Sequence, residues 1–171
     1  MGSGDSGPIM PRMVRKLAAW LAGMAAVVAL FVGWMATMAL DAGRWRLSHM
    51  PVWLQAAGAA GMALSVVVAC LAFRANSFAS PVVKLQTARG HRVAEGGPYA
   101  VVRHPMYAGA LFYFVGMPLL LGSWWGFAFV PALAAVLALR AVLEERTLMA
   151  ELDGYAAYAA RVRWRFVPGV W

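Results

Sequence analysis

The sequence predicts an all-α, polytopic membrane protein with four transmembrane helices. Two observations carry this. Hydrophobic residues make up 63% of the 171-residue chain and charged residues 13%, against about 45–50% and 25% in a soluble domain. The apolar residues also fall in uncharged runs of membrane-spanning length. A chain this short has no interior large enough to hide that much apolar surface, so an ordinary soluble enzyme and a disordered chain are both excluded.

Leu17 to Leu40 is 24 residues without a charge, and Val52 to Phe73 is 22; about 20 residues cross a hydrocarbon core as a helix. The first is too long for a cleaved signal peptide. Met106 to Leu139 is a further 34 uncharged residues. As one helix it would run about 50 Å against a core of about 30 Å. Gly122-Ser123-Trp124-Trp125-Gly126 breaks it near the middle as a tight turn, which predicts a helical hairpin. The divisions that follow are a flexible leader over 1–16, two spans over 17–73, and a second unit over 74–171. That second unit holds the middle loop, the hairpin and the C-terminal segment. In Ala56-Ala57-Gly58-Ala59-Ala60-Gly61, small residues suit close helix packing, within the molecule or in a homodimer.

Four crossings bring both termini to one side. That side collects Arg12, Arg15, Lys16, Arg74, Lys84, Arg89, Arg92, Arg103, Arg140, Arg146, Arg161, Arg163 and Arg165, leaving Arg44 and Arg46 opposite. Positive residues concentrate in the cytoplasm, so the termini and the long middle loop are expected there. Trp45, Trp53, Trp124 and Trp125 fall at the other boundary, as an interfacial aromatic belt does. The net charge of +8 thus reads as membrane orientation rather than nucleic-acid binding. Cys70 stands alone, and His49, His91 and His104 have no ligand spacing, so neither a disulfide nor a metal site is expected.

Polar groups gather on the charged side of the second half. Pro105 suits a first helical turn, which would set His104 and Tyr107 three apart on one face. The hairpin brings Arg103 and His104 near Glu144 and Glu145, at the far end of its other limb. Spacing alone also fits simple boundary decoration, with Arg140 and Glu144 as an ordinary i, i+4 pair. Tyr155 and Tyr158 equally suit a membrane surface.

The ordered string is more specific. Gly97-Pro98-Tyr99, Arg103-His104-Pro105-Met106-Tyr107-Ala108-Gly109, Glu144-Glu145 and Tyr155-x-x-Tyr158-x-x-Arg161-Val162, preceded by His91-x-Val93, resemble the isoprenylcysteine carboxyl methyltransferase family. They also resemble the related phospholipid N-methyltransferases, which share the Arg-His-Pro-x-Tyr-x-Gly and Glu-Glu elements. The likeness covers roughly His91 to Gly169. It implies a methyltransferase that uses S-adenosylmethionine without a Rossmann domain, its cofactor held in a cytoplasmic pocket built from the middle loop and C-terminal segment. Carried over by position, His91, Gly97, Pro98, Tyr99, Arg103, His104, Tyr107 and Gly109 form one wall and Glu144 with Glu145 the other. Arg161 is the expected acceptor-orienting residue, with Arg103 and Glu145 beside the reacting groups. Tyr158, Arg163 and Arg165 complete the acceptor side, their alternative role being adhesion to anionic lipid.

Acidic groups can meet the cofactor's ammonium, Arg103 or His104 its carboxylate, and a tyrosine ring its sulfonium. The scarcity of bases favours an acceptor that is already anionic, a carboxylate or thiolate; an amine must first lose a proton. Where the eukaryotic prenylcysteine enzymes are acidic and lysine-rich, this chain has Ala156, Ala157, Ala159 and Ala160. This argues for a small lipophilic or amphiphilic acceptor that enters from the lipid. Phospholipid N-methylation is the alternative within the class. An NADPH-dependent membrane reductase and a non-enzymatic scaffold are the rivals outside it.

Overall fold

The computed structural model describes residues 12–76 and 93–171. The expectations placed on His91, on Lys84, Arg89 and Arg92, and on the leader before Arg12 lie outside these residues. Every regular element described is helical: α1 (Arg12–Met38), α2 (Val52–Ala75), α3 (Pro105–Leu121), α4 (Val130–Glu151) and α5 (Tyr155–Arg161). Three segments are long and apolar enough to cross a membrane, Met13–Trp45, Val52–Ala75 and Trp125–Glu151. α3 is apolar but shorter, 17 residues, or about 25 Å at 1.5 Å per residue.

The helices alternate in direction. Asp41 after α1, Ser48 before α2 and Ser123 between α3 and α4 are hydrogen-bonded together at one end of the bundle. Asn76 after α2, Tyr99 before α3 and Glu145 late in α4 gather at the other. The helical run begun by α1 does not stop at Leu40. It widens into a π-helical turn over Ala39–Trp45 that closes on Arg46 in the left-handed region (φ 51°). This turn carries Asp41 inward, where it is 2% exposed.

The break in the third apolar run falls where the sequence places it. Gly122 takes φ +76°, a conformation that costs glycine little. Its N–H returns to the Leu119 carbonyl at 3.1 Å and that of Ser123 to Pro118 at 2.9 Å. A 3-10 turn over Trp125–Phe129 leads into α4, with a proline in its first turn.

The packing differs from a simple hairpin. α3 lies along α2 for its whole length, while its contact with α4 is slight. The reason is side-chain size. A Cβ on Gly58 would collide with the Leu120 amide and come within 2.7 Å of the Gly116 carbonyl; one on Gly116 would reach the Gly58 carbonyl at 3.0 Å. Backbones this close depend on small residues at the crossing. The Ala56–Gly61 stripe is thus used within the molecule.

α1 joins the bundle through its C-terminal half. Trp34 is fully buried among Phe31, Tyr113 and Phe114, and its indole N–H donates to the Gly126 carbonyl at 3.0 Å. From Met13 to Ala29 every residue of α1 is exposed. Trp45, Trp53, Trp124 and Trp125 are exposed together at the Asp41 end, as a boundary belt requires.

Candidate active site

The site begins with the two residues before α3. Their backbone is fixed by the C-terminal segment: the Arg103 N–H donates to the Trp164 carbonyl at 2.9 Å and that of His104 to Arg165 at 2.7 Å. Pro105 then opens the helix, and the His104 carbonyl accepts from Tyr107 and Ala108. The side chains of 103, 104 and 107 are thereby aimed at the end of α4.

Glu145 is the hub. It is 5% exposed and accepts from three cationic or potentially cationic groups. Arg103 Nε lies 2.7 Å from Oε1, His104 Nε2 3.0 Å from Oε1, and Arg165 Nε 2.9 Å from Oε2. A buried carboxylate persists only when its lone pairs are taken up in this way. Arg103 extends the network through Nη1 to the carbonyls of Ala159 and Val162, at 3.2 and 3.3 Å. The Arg165 guanidinium lies 4.5 Å from the Trp171 ring centroid, where cation–π attraction adds to the ion pair. One carboxylate thus ties together the start of α3, the end of α4, α5 and the C-terminal segment.

Glu144 has a different setting. It is half-buried, and its Oε2 accepts from the Tyr107 hydroxyl at 2.7 Å; that same oxygen of Tyr107 accepts from Arg140 Nε at 2.8 Å. The Tyr107 ring stacks on His104, centroids 5.2 Å apart and planes at 14°. A polar chain therefore runs from exposed Arg140 through Tyr107 to Glu144, beside the closed Glu145 network.

The tyrosines form the third part. Tyr158 donates to the Tyr99 carbonyl at 2.8 Å, clamping α5 to the 3-10 turn Gly97–Ala100. Burial first, then the neighbouring Tyr99, pushes the Tyr158 hydroxyl well above the usual phenol range, so it remains a donor. Tyr99, also buried, is raised for the same first reason. Gly97 (φ +58°) places this turn against Ala75 of α2, with Pro98 in its first positions.

Of the residues singled out by sequence, Arg103, His104, Tyr107, Glu144, Glu145 and Arg165 are joined directly, and Tyr99 and Tyr158 adjoin them. Arg103 and His104 touch Glu145 rather than facing it across a gap, because a buried carboxylate draws in the nearest cations. Gly109 is buried against Ser65 and Val68 of α2, where close packing uses its lack of a side chain. Arg161 is exposed and paired with Glu95 at 2.6 Å, and Arg163 is exposed; neither joins the Glu145 network. Sequence reasoning passed over Glu95, the Arg140–Tyr107 bond and the role of Trp171. It also passed over Asp41, whose signal was a lone acid ending a 24-residue uncharged run.

An up-and-down bundle of apolar helices, three of them long enough to cross a membrane, with a buried ion cluster at one end, marks a helical membrane protein. The sequence model of the phospholipid methyltransferase family matches residues 53–155, more than half of the chain, and the chain belongs to that family. It is accordingly a methyltransferase with membrane-spanning helices. No curated protein sequence matches the chain.

Proposed function

We propose that the protein transfers a methyl group from S-adenosylmethionine to the polar head of a membrane lipid or similar amphiphile, at the cytoplasmic boundary. The observation that carries this is the convergence on Glu145 of Arg103, His104 and Arg165, which builds a rigid polar floor where four chain segments meet. An expensive buried ion cluster at a membrane boundary asks for a use beyond anchoring.

The residues fit the donor molecule. Its ammonium, carboxylate, sulfonium and adenosine call for an acid, cations and aromatic faces. The polar chain of Glu144, Tyr107 and Arg140 lies beside His104, Tyr99, Tyr155 and Phe166, and a buried phenol hydroxyl, that of Tyr155, has no partner among the described residues. When bound, S-adenosylmethionine supplies an activated methyl on a sulfonium. The protein's part is alignment, which dominates an in-line displacement. Glu145 immobilises Arg103 and His104, and the ring of His104 in turn supports Tyr107. Glu144 is the acid placed to hold a cationic group or to receive a proton.

The family favours a phospholipid amine as acceptor over the carboxylate or thiolate of prenylcysteine-type enzymes. An amine acceptor, protonated at neutral pH, first gives up one proton, for which Glu144 is the proposed base; its freed lone pair then forms the N–C bond as the methyl–sulfur bond breaks, leaving S-adenosylhomocysteine. We further propose that α3 is a fourth crossing, which puts both termini on the arginine-rich, cytoplasmic side. The acceptor then enters laterally, between the exposed half of α1 and Leu139, Arg140 and Leu143 of α4, all exposed.

The test uses purified protein and native membranes. S-adenosylhomocysteine should raise the melting temperature of the detergent-purified protein. Membranes given methyl-labelled cofactor should yield a labelled lipid. Neither response, from protein that unfolds cooperatively, would overturn the proposal; a labelled carboxylate or thiol in place of an amine would move the acceptor to the prenylcysteine type.

A further inference from the structure

Tyr155 opens α5 and is 4% exposed. Its ring packs near Tyr158, centroids 5.7 Å apart, in a cluster with Val93, Leu148, Leu152, Ala159 and Val162. These partners account for the ring but not for its polar end. The hydroxyl is buried and makes no hydrogen bond among the described residues, the one side-chain polar atom there in that condition. Leaving a hydroxyl buried and unsatisfied is destabilising, and a phenylalanine would fill the same apolar cluster without that cost. Its neighbour Tyr158, on the same short helix, has its hydroxyl satisfied by the Tyr99 carbonyl. The unsatisfied oxygen therefore calls for a partner other than the described residues.

Its surroundings say what kind of group would answer it. The helix that carries this hydroxyl is tied to the acid pair, because Arg103 bonds both Glu145 and the Ala159 carbonyl, and Glu144 is the neighbour of Glu145. Glu145 is already committed to its three partners, and Arg103 to Glu145 and two carbonyls. Glu144 is the acid held less tightly. A neutral phenol oxygen with two carboxylates nearby suits a donor that is itself cationic, as an ammonium is. Burial and the Glu145 charge hold the phenol in its neutral form, with its lone pairs available to such a donor.

We propose that the Tyr155 hydroxyl accepts a hydrogen bond from the ammonium of the methyl donor's aminoacyl end, with Glu144 as the counter-charge. This rests on the proposed use of S-adenosylmethionine. It makes Tyr155 a cofactor-binding residue from which no described side chain would lose a bond on substitution.

The experiment compares wild type with Tyr155→Phe in detergent, using S-adenosylhomocysteine, which has the aminoacyl end, and 5′-methylthioadenosine, which lacks it. Without ligand, the variant should melt at the wild-type temperature or above it. Its affinity for S-adenosylhomocysteine should fall about ten-fold, as for one hydrogen bond to a charged group. Its affinity for 5′-methylthioadenosine should not change. A variant that binds S-adenosylhomocysteine as wild type does would overturn the assignment and leave the proposed function standing. Equal weakening toward both ligands would also overturn it, as would a lowered melting temperature without ligand. If the wild type itself binds neither, the proposed function falls and this inference with it.

Discussion

At the level of single residues, Glu144 and Glu145 are adjacent acids with opposite consequences. Glu145 is buried beneath Arg103, His104 and Arg165; removing it strands two guanidinium groups and an imidazole, of which Arg103 and His104 are nearly as buried. Glu145→Ala should cost about 3–5 kcal/mol, the range for breaking a buried pair, and abolish the response to S-adenosylhomocysteine. Glu144 keeps Tyr107 in place from a half-exposed position. Glu144→Gln should leave the melting temperature within a few degrees of wild type and weaken S-adenosylhomocysteine binding several-fold. Thermal unfolding with and without ligand separates the two. If both variants lost stability equally, Glu144 would be structural as well. The sequence brought these acids to the Arg103-His104 pair through helix length alone. It did not assign their separate roles, because one position along a helix turns a side chain by about 100° and only the packed neighbours decide which acid faces inward.

Among the elements, α2 and α3 form the tightest contact, and it depends on Gly58 and Gly116. Gly116→Leu would force its side chain into the Gly58 carbonyl and the Met62 amide, approached at 3.0 and 3.1 Å by a Cβ alone. The expected loss is at least the 1–3 kcal/mol or so typical of overpacking. Gly23→Ala, on the exposed half of α1 with open space around it, should be neutral. Equal melting temperatures for the two variants would mean that the α2–α3 contact contributes little. The small-residue run in α2 was legible in the sequence, but its partner was not. A stripe of glycine and alanine states that a backbone approaches closely without saying whose. The hairpin expectation brought the start of α3 to the end of α4, where Tyr107 bonds Glu144; it did not show that the closest backbone approach of α3 would be to α2, where both helices carry glycine. The turn at Gly122 was legible because its positive φ leaves few residues to choose from.

For the molecule as a whole, the two polar clusters at opposite ends fix the topology. At one end the Ser123 hydroxyl and the Ser48 hydroxyl both donate to Oδ2 of Asp41, at 2.5 and 2.6 Å; at the other stands Glu145. Asp41→Ala would leave both serines without this acceptor and loosen the link between α1 and the α3–α4 turn. It should cost about 1–3 kcal/mol while leaving affinity for S-adenosylhomocysteine unchanged, since the proposed methyl-donor site lies at the opposite end. A drop in affinity alongside the drop in stability would show that the two ends are coupled.

The same geometry supports the proposed count of four crossings. The Asp41 cluster binds the turn after α3 to the end of α1 and the start of α2, so α3 must travel the full height between the two clusters. If α1 and α2 cross the membrane, α3 cannot remain on one side without breaking those bonds. In a chain whose Cys70 is replaced by alanine, single cysteines at Arg46 and Trp125 should react with an impermeant maleimide from one side of sealed vesicles. Cysteines at Arg74 and Arg163 should react from the other. Three crossings would instead place Trp125 with Arg74, because the chain between them would never have left that face. The charge distribution adds the sign: the side that labels Arg74 and Arg163 should be the cytoplasmic one, since it holds Arg15, Lys16, Arg103, Arg140, Arg146 and Arg165 as well. A cytoplasmic label at Arg46 would invert the orientation and put Glu145 on the face away from the cell's methyl donor.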